Sequence, residues 1–285
     1  LIHGSKNLHA LRNSFVVFLF LNLFFMQSNA WAAKVDTLEI YSNSMRKVIR
    51  CVVITPSNYK PTAKPYPVLY LLHGWSGNYS SWLTDAPQLP QHADEYQMII
   101  VCPDGGYDSW YVNSPVDTTM QYETHIAKEV VTHIDYYYHT IASKAGRAIA
   151  GLSMGGHGAL YLAIRHPEVF GAAGSMCGGL DFRPFKKNEW DLKRILGDPG
   201  TVFANWEKYS VVPALPNLAN RKTALILDCG VGDFFLNVNR AAHQKLLDMG
   251  YPHEYTERPG EHNAAYWGNA IDYQLVFFHK FFTRG

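Results

Sequence analysis

Cysteine is scarce in this chain and badly placed for a metal or a disulfide scaffold. The 285 residues hold four. None form C-x-x-C and no two histidines stand four apart, so a zinc site has no basis in the spacing. Cys51, Cys102 and Cys229 sit in or at the end of apolar runs (VIRCVVI, MIIVCPDG, ALILDCG), and Cys177 follows another. That placement marks small buried thiols rather than a bridging framework. Basic clusters are missing too. Lys and Arg total 25 against 24 Asp and Glu, a net charge of +1. Nucleic acid is therefore excluded as an expected partner, because phosphate-backbone binding needs clustered cations, and a neutral or weakly charged substrate fits better. Nor does any apolar run approach the roughly 20 residues that span a bilayer. The most apolar stretch, FVVFLFLNLFF (15–25), is too short. There is no internal repeat and no low-complexity linker.

What the chain has in quantity is core-forming material, 47% hydrophobic and 14% aromatic residues, enough for one sizeable α/β domain. Lys6 and Arg12 precede the apolar run, and Ala30-Trp31-Ala32 follows it as a small-x-small cleavage site. Residues 1–32 are accordingly read as an export signal, with the opening LIHGS a possible remnant foreign to it, and 33–285 as the domain. No cysteine follows the apolar run to carry a lipid, so no stable membrane anchor is expected. VDTLEIYS and RKVIRCVVITP alternate apolar and polar residues and predict an antiparallel strand pair. YPVLYLLHG, MIIVCPDGG, RAIAGLS, VFGAAGSMCG and TALILDCGVGD are short and apolar throughout, as parallel strands buried on both faces are. Helical patterns lie between and after them: ETHIAKEVVTHIDYYYH, GHGALYLAIRHPE, NVNRAAHQKLLDMG and AAYWGNAIDYQLVFFHKFF. The alternation predicts an α/β fold with a mostly parallel central sheet and helices on both faces. Residues 180–221 break the rhythm and are expected to form an insertion that caps a pocket.

RAIAGLSMGGHGAL places Ser153 between glycines where a strand gives way to a helix. Such a turn lifts a serine oxygen out of the sheet and aims the next N–H, that of Met154, at an oxyanion. A serine hydroxyl needs a base, and the base an orienting carboxylate, in the chain order Ser, acid, His. His157, His166, His243 and His279 fall within helices and His253 opens a strand. His262, in ERPGEHNAAYW, occupies a loop after the last strand and is the expected base. Asp228 and Asp233 both follow the right strand. Asp233, past Gly230 and Gly232, is favoured, with Asp228 the alternative. The loop after LYLLHGWSGN offers the Trp75 N–H as a second oxyanion donor, with His73 a structural hydrogen-bonder. Tyr107, Trp110 and Tyr111 in DGGYDSWYVNSP are expected to stack on a phenolic acyl group or a sugar ring. Phe234 and Trp267 are further pocket candidates beside Asp233 and His262.

At these residues the sequence resembles the esterase D-like branch of the α/β-hydrolases. The matching stretches are YPVLYLLHGWSGN, GLSMGGHGALYLAIRHPEVFGAAGSMCGGLD, DCGVGDFFLNVN and EYTERPGEHNAAYW, in the expected order over most of residues 35–283. The branch includes secreted feruloyl and acetyl-xylan esterases, tributyrin esterase, S-formylglutathione hydrolase and mycolyltransferases. The resemblance implies an α/β-hydrolase fold, triad roles for Ser153, Asp233 and His262, and an oxyanion hole at Trp75 and Met154. It implies an exported, cofactor-free and metal-free serine esterase acting on a small ester or an acylated polysaccharide, feruloyl ahead of acetyl. The alternatives are a generic short-chain carboxylesterase, an S-formylglutathione hydrolase-like enzyme, acyl transfer in place of hydrolysis, and, in another class, a non-catalytic carbohydrate-binding relative.

Overall fold

The computed structural model describes residues 32–219 and 221–284. Of the expected export signal only Ala32 lies among them, so that reading falls outside the described residues. Ala32–Gly285 forms one compact unit.

The alternating N-terminal segments become β1 (Lys34–Ser42) and β2 (Lys47–Thr55), paired antiparallel. Then come β3 (Val68–Leu72), β4 (Ile99–Pro103), β5 (Arg147–Leu152), β6 (Ala172–Met176), β7 (Ala224–Gly230) and β8 (Glu254–Arg258). They make one eight-stranded sheet in the order β1-β2-β4-β3-β5-β6-β7-β8. β2 meets β4 antiparallel, and every pair from β4 to β8 is parallel. Of the five strands read as apolar throughout, β3 to β6 are buried at every residue and β7 at every residue but Ala224.

Alternate side chains of each strand serve opposite faces. Val68, Tyr70, Leu72 and Ile149 pack on one face beneath α2 (Val131–Tyr137), α3 (Met154–Arg165) and α4 (Leu236–Asp248). α2 continues a helical run that starts at Tyr122–Thr124 and passes through a π-helical stretch, His125–Val130. Leu69, Leu71, Ala148 and Ala150 pack on the other face beneath α1 (Leu89–Tyr96) and α5 (Ala264–Thr283). Two apolar layers thus flank the sheet, as the alternation predicts.

Topology decides where a ligand can sit. The chain runs from β3 to β4 on one side, then returns to β5 on the other, so the loops after β3 and β5 part in opposite directions. Such a switch point leaves a crevice beyond the carboxyl ends of the strands. Leu72 pairs with Gly151, Leu152 with Met176, and Met176 with Asp228. The register therefore brings the ends of β3, β5, β6 and β7 to one rim.

Candidate active site

Ser153 joins β5 to α3 with φ 53° and ψ −116°, a backbone state that side chains rarely adopt and that typically stores about 1–3 kcal/mol. Its neighbours explain how it is held. A Cβ on Gly151 would lie 2.5 Å from the Gly155 backbone, and one on Gly155 would lie 2.6 Å from the His73 carbonyl oxygen. Helix α3 can press against β5 and the end of β3 only because both positions lack a side chain. Ser153 N–H donates to Met176 O at 2.9 Å, which ties the turn to the neighbouring strand.

Three side chains far apart in sequence meet there. Ser153 Oγ–H donates to His262 Nε2 at 2.8 Å, and His262 Nδ1–H donates to Asp233 Oδ2 at 2.6 Å. The other carboxylate oxygen of Asp233 accepts from Phe235 N–H at 2.7 Å. Asp233 and Ser153 are buried and His262 is partly so. Burial opposes charge on the imidazole, but Asp233, through its hydrogen bond and negative charge, and the neighbouring Cys177 together outweigh it, and the His262 pKa is raised. The loops carrying the two residues are stitched together. Val231 N–H donates to Arg258 O and Gly232 N–H to Gly260 O, both at 2.9 Å.

Asp228 has different partners. Its carboxylate accepts from the Tyr266 hydroxyl and pairs with the Arg258 guanidinium. Burial lifts its pKa against the pull of Tyr266 and Arg258. It thereby ties β7 to Arg258 at the end of β8 and to Tyr266 in α5, the residues on either side of the His262 loop.

Met154 opens α3, directly after the serine, so its N–H has no intrahelical acceptor. The loop after β3 passes close by: a Cβ on Gly74 would lie 3.5 Å from Ser153 Cβ. His73 fixes that loop. Gly105 N–H donates to its Nε2 at 2.8 Å, so Nδ1 carries the proton and donates to Gly74 O, also at 2.8 Å. That is the structural role expected of it.

A cavity of about 230 Å³ opens over Ser153 and His262. Trp75, Phe234 and Trp267 line it, together with Trp190 and Asp85. The Phe234 ring lies 4.2 Å from that of His262 and the Trp267 ring 5.0 Å, centre to centre. Tyr107, also expected at the pocket, is not among the residues that line it; it is 56% exposed and packs edge-on against Trp75. Larger hollows of about 450 and 480 Å³ lie elsewhere, beside residues 251–254 and beside Tyr136 and Tyr137, and among the described residues neither is lined by a serine or a cysteine.

The expected aromatic wall of Trp110 and Tyr111 is corrected. They are 1% and 0% exposed, and neither lines the cavity. Trp110 packs edge-on to Phe182 at 4.9 Å and to His157 at 5.6 Å. Tyr111 fills the hollow left by Gly105 and Gly158, and its hydroxyl donates to His73 O at 2.9 Å. Both support the site from beneath. The residue that takes the wall position is Trp190, unanticipated in the sequence and stacked with Phe234 at 5.6 Å and 16°. It comes from the 180–221 insertion, on a backbone with φ 52°. Its only sequence signal was the Trp-rich break in the α/β rhythm.

The sequence pattern of the Esterase family matches residues 42–278. The chain belongs to this family. It is 30% identical over 235 residues to an esterase of Mycobacterium tuberculosis, a match covering 74% of this chain and 51% of that protein. This esterase-family chain thus spans about half the length of the first curated relatives it matches. It is 23% identical over 253 residues to an acetyl esterase of Caldicellulosiruptor saccharolyticus, covering 82% of this chain and 94% of that one. Among solved structures it is similar to a ferulic acid esterase, with TM-score 0.75, 29% identity, and coverage of 88% of this chain and 99% of that one. The architecture is that of the α/β-hydrolase esterases, as the resemblance implied.

Proposed function

We propose that the chain is an exported serine esterase that hydrolyses carboxylic esters, with feruloyl groups on plant polysaccharide as its substrates. The observation that carries the reading is His262, bridging Ser153 Oγ and Asp233 Oδ2 at the rim of the sheet. In the first half-reaction Ser153 Oγ attacks the ester carbonyl carbon while its proton passes to His262 Nε2. Asp233 stabilises the resulting imidazolium and holds the ring orientation. The carbonyl oxygen, now negative, is held by the N–H groups of Met154 and Trp75. Collapse expels the alcohol, which takes the proton from His262 and leaves an acyl-serine. Water then repeats the sequence and releases the acid.

The cavity chemistry supports a neutral substrate with an aromatic acyl group. Trp75, Trp190, Phe234 and Trp267 give it ring faces and edges, and among the described residues no Lys or Arg lines it. A glutathione thioester carries carboxylates that find no cation there, which disfavours the S-formylglutathione reading. The indole N–H groups of Trp75 and Trp267 are buried without a protein acceptor among the described residues. They suit a ligand that brings its own oxygens. Asp85, its pKa raised by burial, offers a further hydrogen-bonding group toward the alcohol. The small volume favours acetyl esters as the second reading. Export is supported by the composition of residues 1–32.

The test is a panel of methyl ferulate, acetylated xylan, tributyrin and S-formylglutathione, with fluorophosphonate labelling alongside. Methyl ferulate is expected to have the highest kcat/KM. Ser153→Ala is expected to abolish labelling and lower kcat by roughly 10⁵–10⁶. Near-normal turnover in the folded variant would reject the mechanism, and turnover of acetylated xylan alone would move the substrate to acetyl esters.

A further inference from the structure

The thiol of Cys177 has no part in this reaction, yet it stands among the groups that do. Cys177 follows β6 directly, at φ 50°, with its N–H donating to Asp228 O at 2.8 Å. Its Sγ, a carboxylate oxygen of Asp233 and a ring nitrogen of His262 all lie within 4.8 Å of one another. The three come from the ends of β6, β7 and β8, so no sequence spacing announces them. Cys177 and Asp233 are buried and His262 is partly open to the cavity.

The dimensions and the donor set fit one class of ion. Three points no more than 4.8 Å apart share a centre at most about 2.8 Å from each, against ideal zinc distances of about 2.3 Å to sulfur and 2.0–2.2 Å to nitrogen or oxygen. Small side-chain movements close that gap. One thiolate, one imidazole and one carboxylate match a borderline-soft d¹⁰ cation and leave a fourth position for water. Mg²⁺ and Ca²⁺ require oxygen ligands and are not accommodated.

We infer that Cys177, Asp233 and His262 form a binding site for a thiophilic divalent cation, Zn²⁺ or Cd²⁺, and that its occupancy switches the enzyme off. Binding takes a lone pair of His262. At Nδ1 the ion displaces the Asp233 hydrogen bond and forces the ring proton onto Nε2, where no lone pair remains for Ser153. At Nε2 it takes that lone pair directly. Either way the base is lost. The metal–sulfur bond forms as Cys177 S–H releases one proton to solvent. Proton release therefore makes binding tighten as pH rises. The ion is an inhibitor that the free enzyme does not require.

The switch rests on the triad reading, but the binding does not, and the experiment separates them. Cd²⁺ is titrated into the full chain, in a non-chelating buffer with a non-thiol reductant, while the cadmium–thiolate charge-transfer band is followed. Zn²⁺ inhibition of p-nitrophenyl acetate hydrolysis is measured for wild type, Cys177→Ala and Cys177→Ser, each against its own metal-free rate. The expected result is a one-equivalent band in wild type that Cys177→Ala abolishes. Zinc inhibition should be reversed by EDTA and weakened in both variants by at least the roughly 10–100-fold that even outer partners of a metal site are worth. A band that persists in Cys177→Ala, or equal inhibition of all three proteins, overturns the site. A band without inhibition overturns the switch. Were the chain inactive on every ester, the cadmium titration would still decide whether the site exists.

Discussion

Replacing Gly155 by alanine sets local preference against tertiary contact. Gly155 lies in the first turn of α3, where alanine favours a helix by about 0.8–1.0 kcal/mol over glycine. Yet the added methyl would lie 2.6 Å from the His73 carbonyl oxygen and closer still to that of Leu72, where ordinary contact begins at 3.4 Å. Relief requires about 0.8 Å or more of separation between α3 and the end of β3. The segment displaced is the one that carries Gly74 and Trp75 past Ser153, so the proposed oxyanion donor from Trp75 moves out of reach. Losing one such donor costs about 2.7–4 kcal/mol, or roughly 10²–10³ in kcat. Overpacking should lower stability by about 1–3 kcal/mol. Steady-state hydrolysis of p-nitrophenyl acetate, with chemical denaturation of the same samples, measures both. A variant as active as wild type and more stable than it would refute the argument, because helix propensity would then have won.

Asp233→Asn should lower kcat by about 10⁴ through the wrong His262 tautomer. The raised His262 pKa places the acid limb of the wild-type kcat/KM profile above the usual histidine value of about 6.5, since only the neutral ring accepts the serine proton. In Asp233→Asn that limb should move to lower pH, and a pH–rate series would expose an unmoved limb. Asp228→Asn leaves Arg258 without its charge partner and should destabilise by on the order of 3 kcal/mol, with a kcat loss far smaller than that of Asp233→Asn. Reversed effects of the two variants would transfer the acid role to Asp228. Trp190→Ala should lower kcat/KM for methyl ferulate several-fold to tenfold, by about 0.5–1.5 kcal/mol of lost ring contact beyond area, and spare p-nitrophenyl acetate. Trp110→Ala should instead destabilise by about 3–5 kcal/mol and affect both esters alike. Equal losses in Trp190→Ala would remove that residue from the acyl pocket.

What could be read from the sequence was local. Strand, glycine-flanked serine and helix follow one another within residues 147–165, and the apolar runs declare their burial residue by residue. His262 stood out because the other downstream histidines read as lying inside regular elements or at the start of one, although His166 in fact caps the end of α3. Pairings across the chain were not. Whether Tyr111 faces a pocket or fills a hollow depends on Gly158, forty-seven positions on, and on how the loop folds back on its own Gly105. Asp228 reads as a strand-end acid until Arg258 and Tyr266 arrive from β8 and α5. Trp190 was hidden for the opposite reason: the insertion has no periodicity from which a facing direction can be inferred.

The two bonds that stitch the loop of Asp233 to that of His262 determine how the site comes apart. The His262 loop hangs from β8 at the edge of the sheet and the Asp233 loop from β7 beside it, which β6 holds on its other side, while Ser153 is locked into the centre between β3 and β6. An edge strand has a partner on one side only and opens at lower free energy than the interior. When it opens with those two bonds intact, the proposed acid and base should leave as a coupled pair, and the link that breaks is the one to the serine. On warming, such an enzyme falls silent while most of its sheet is still intact, and on cooling it recovers by redocking a preassembled dyad.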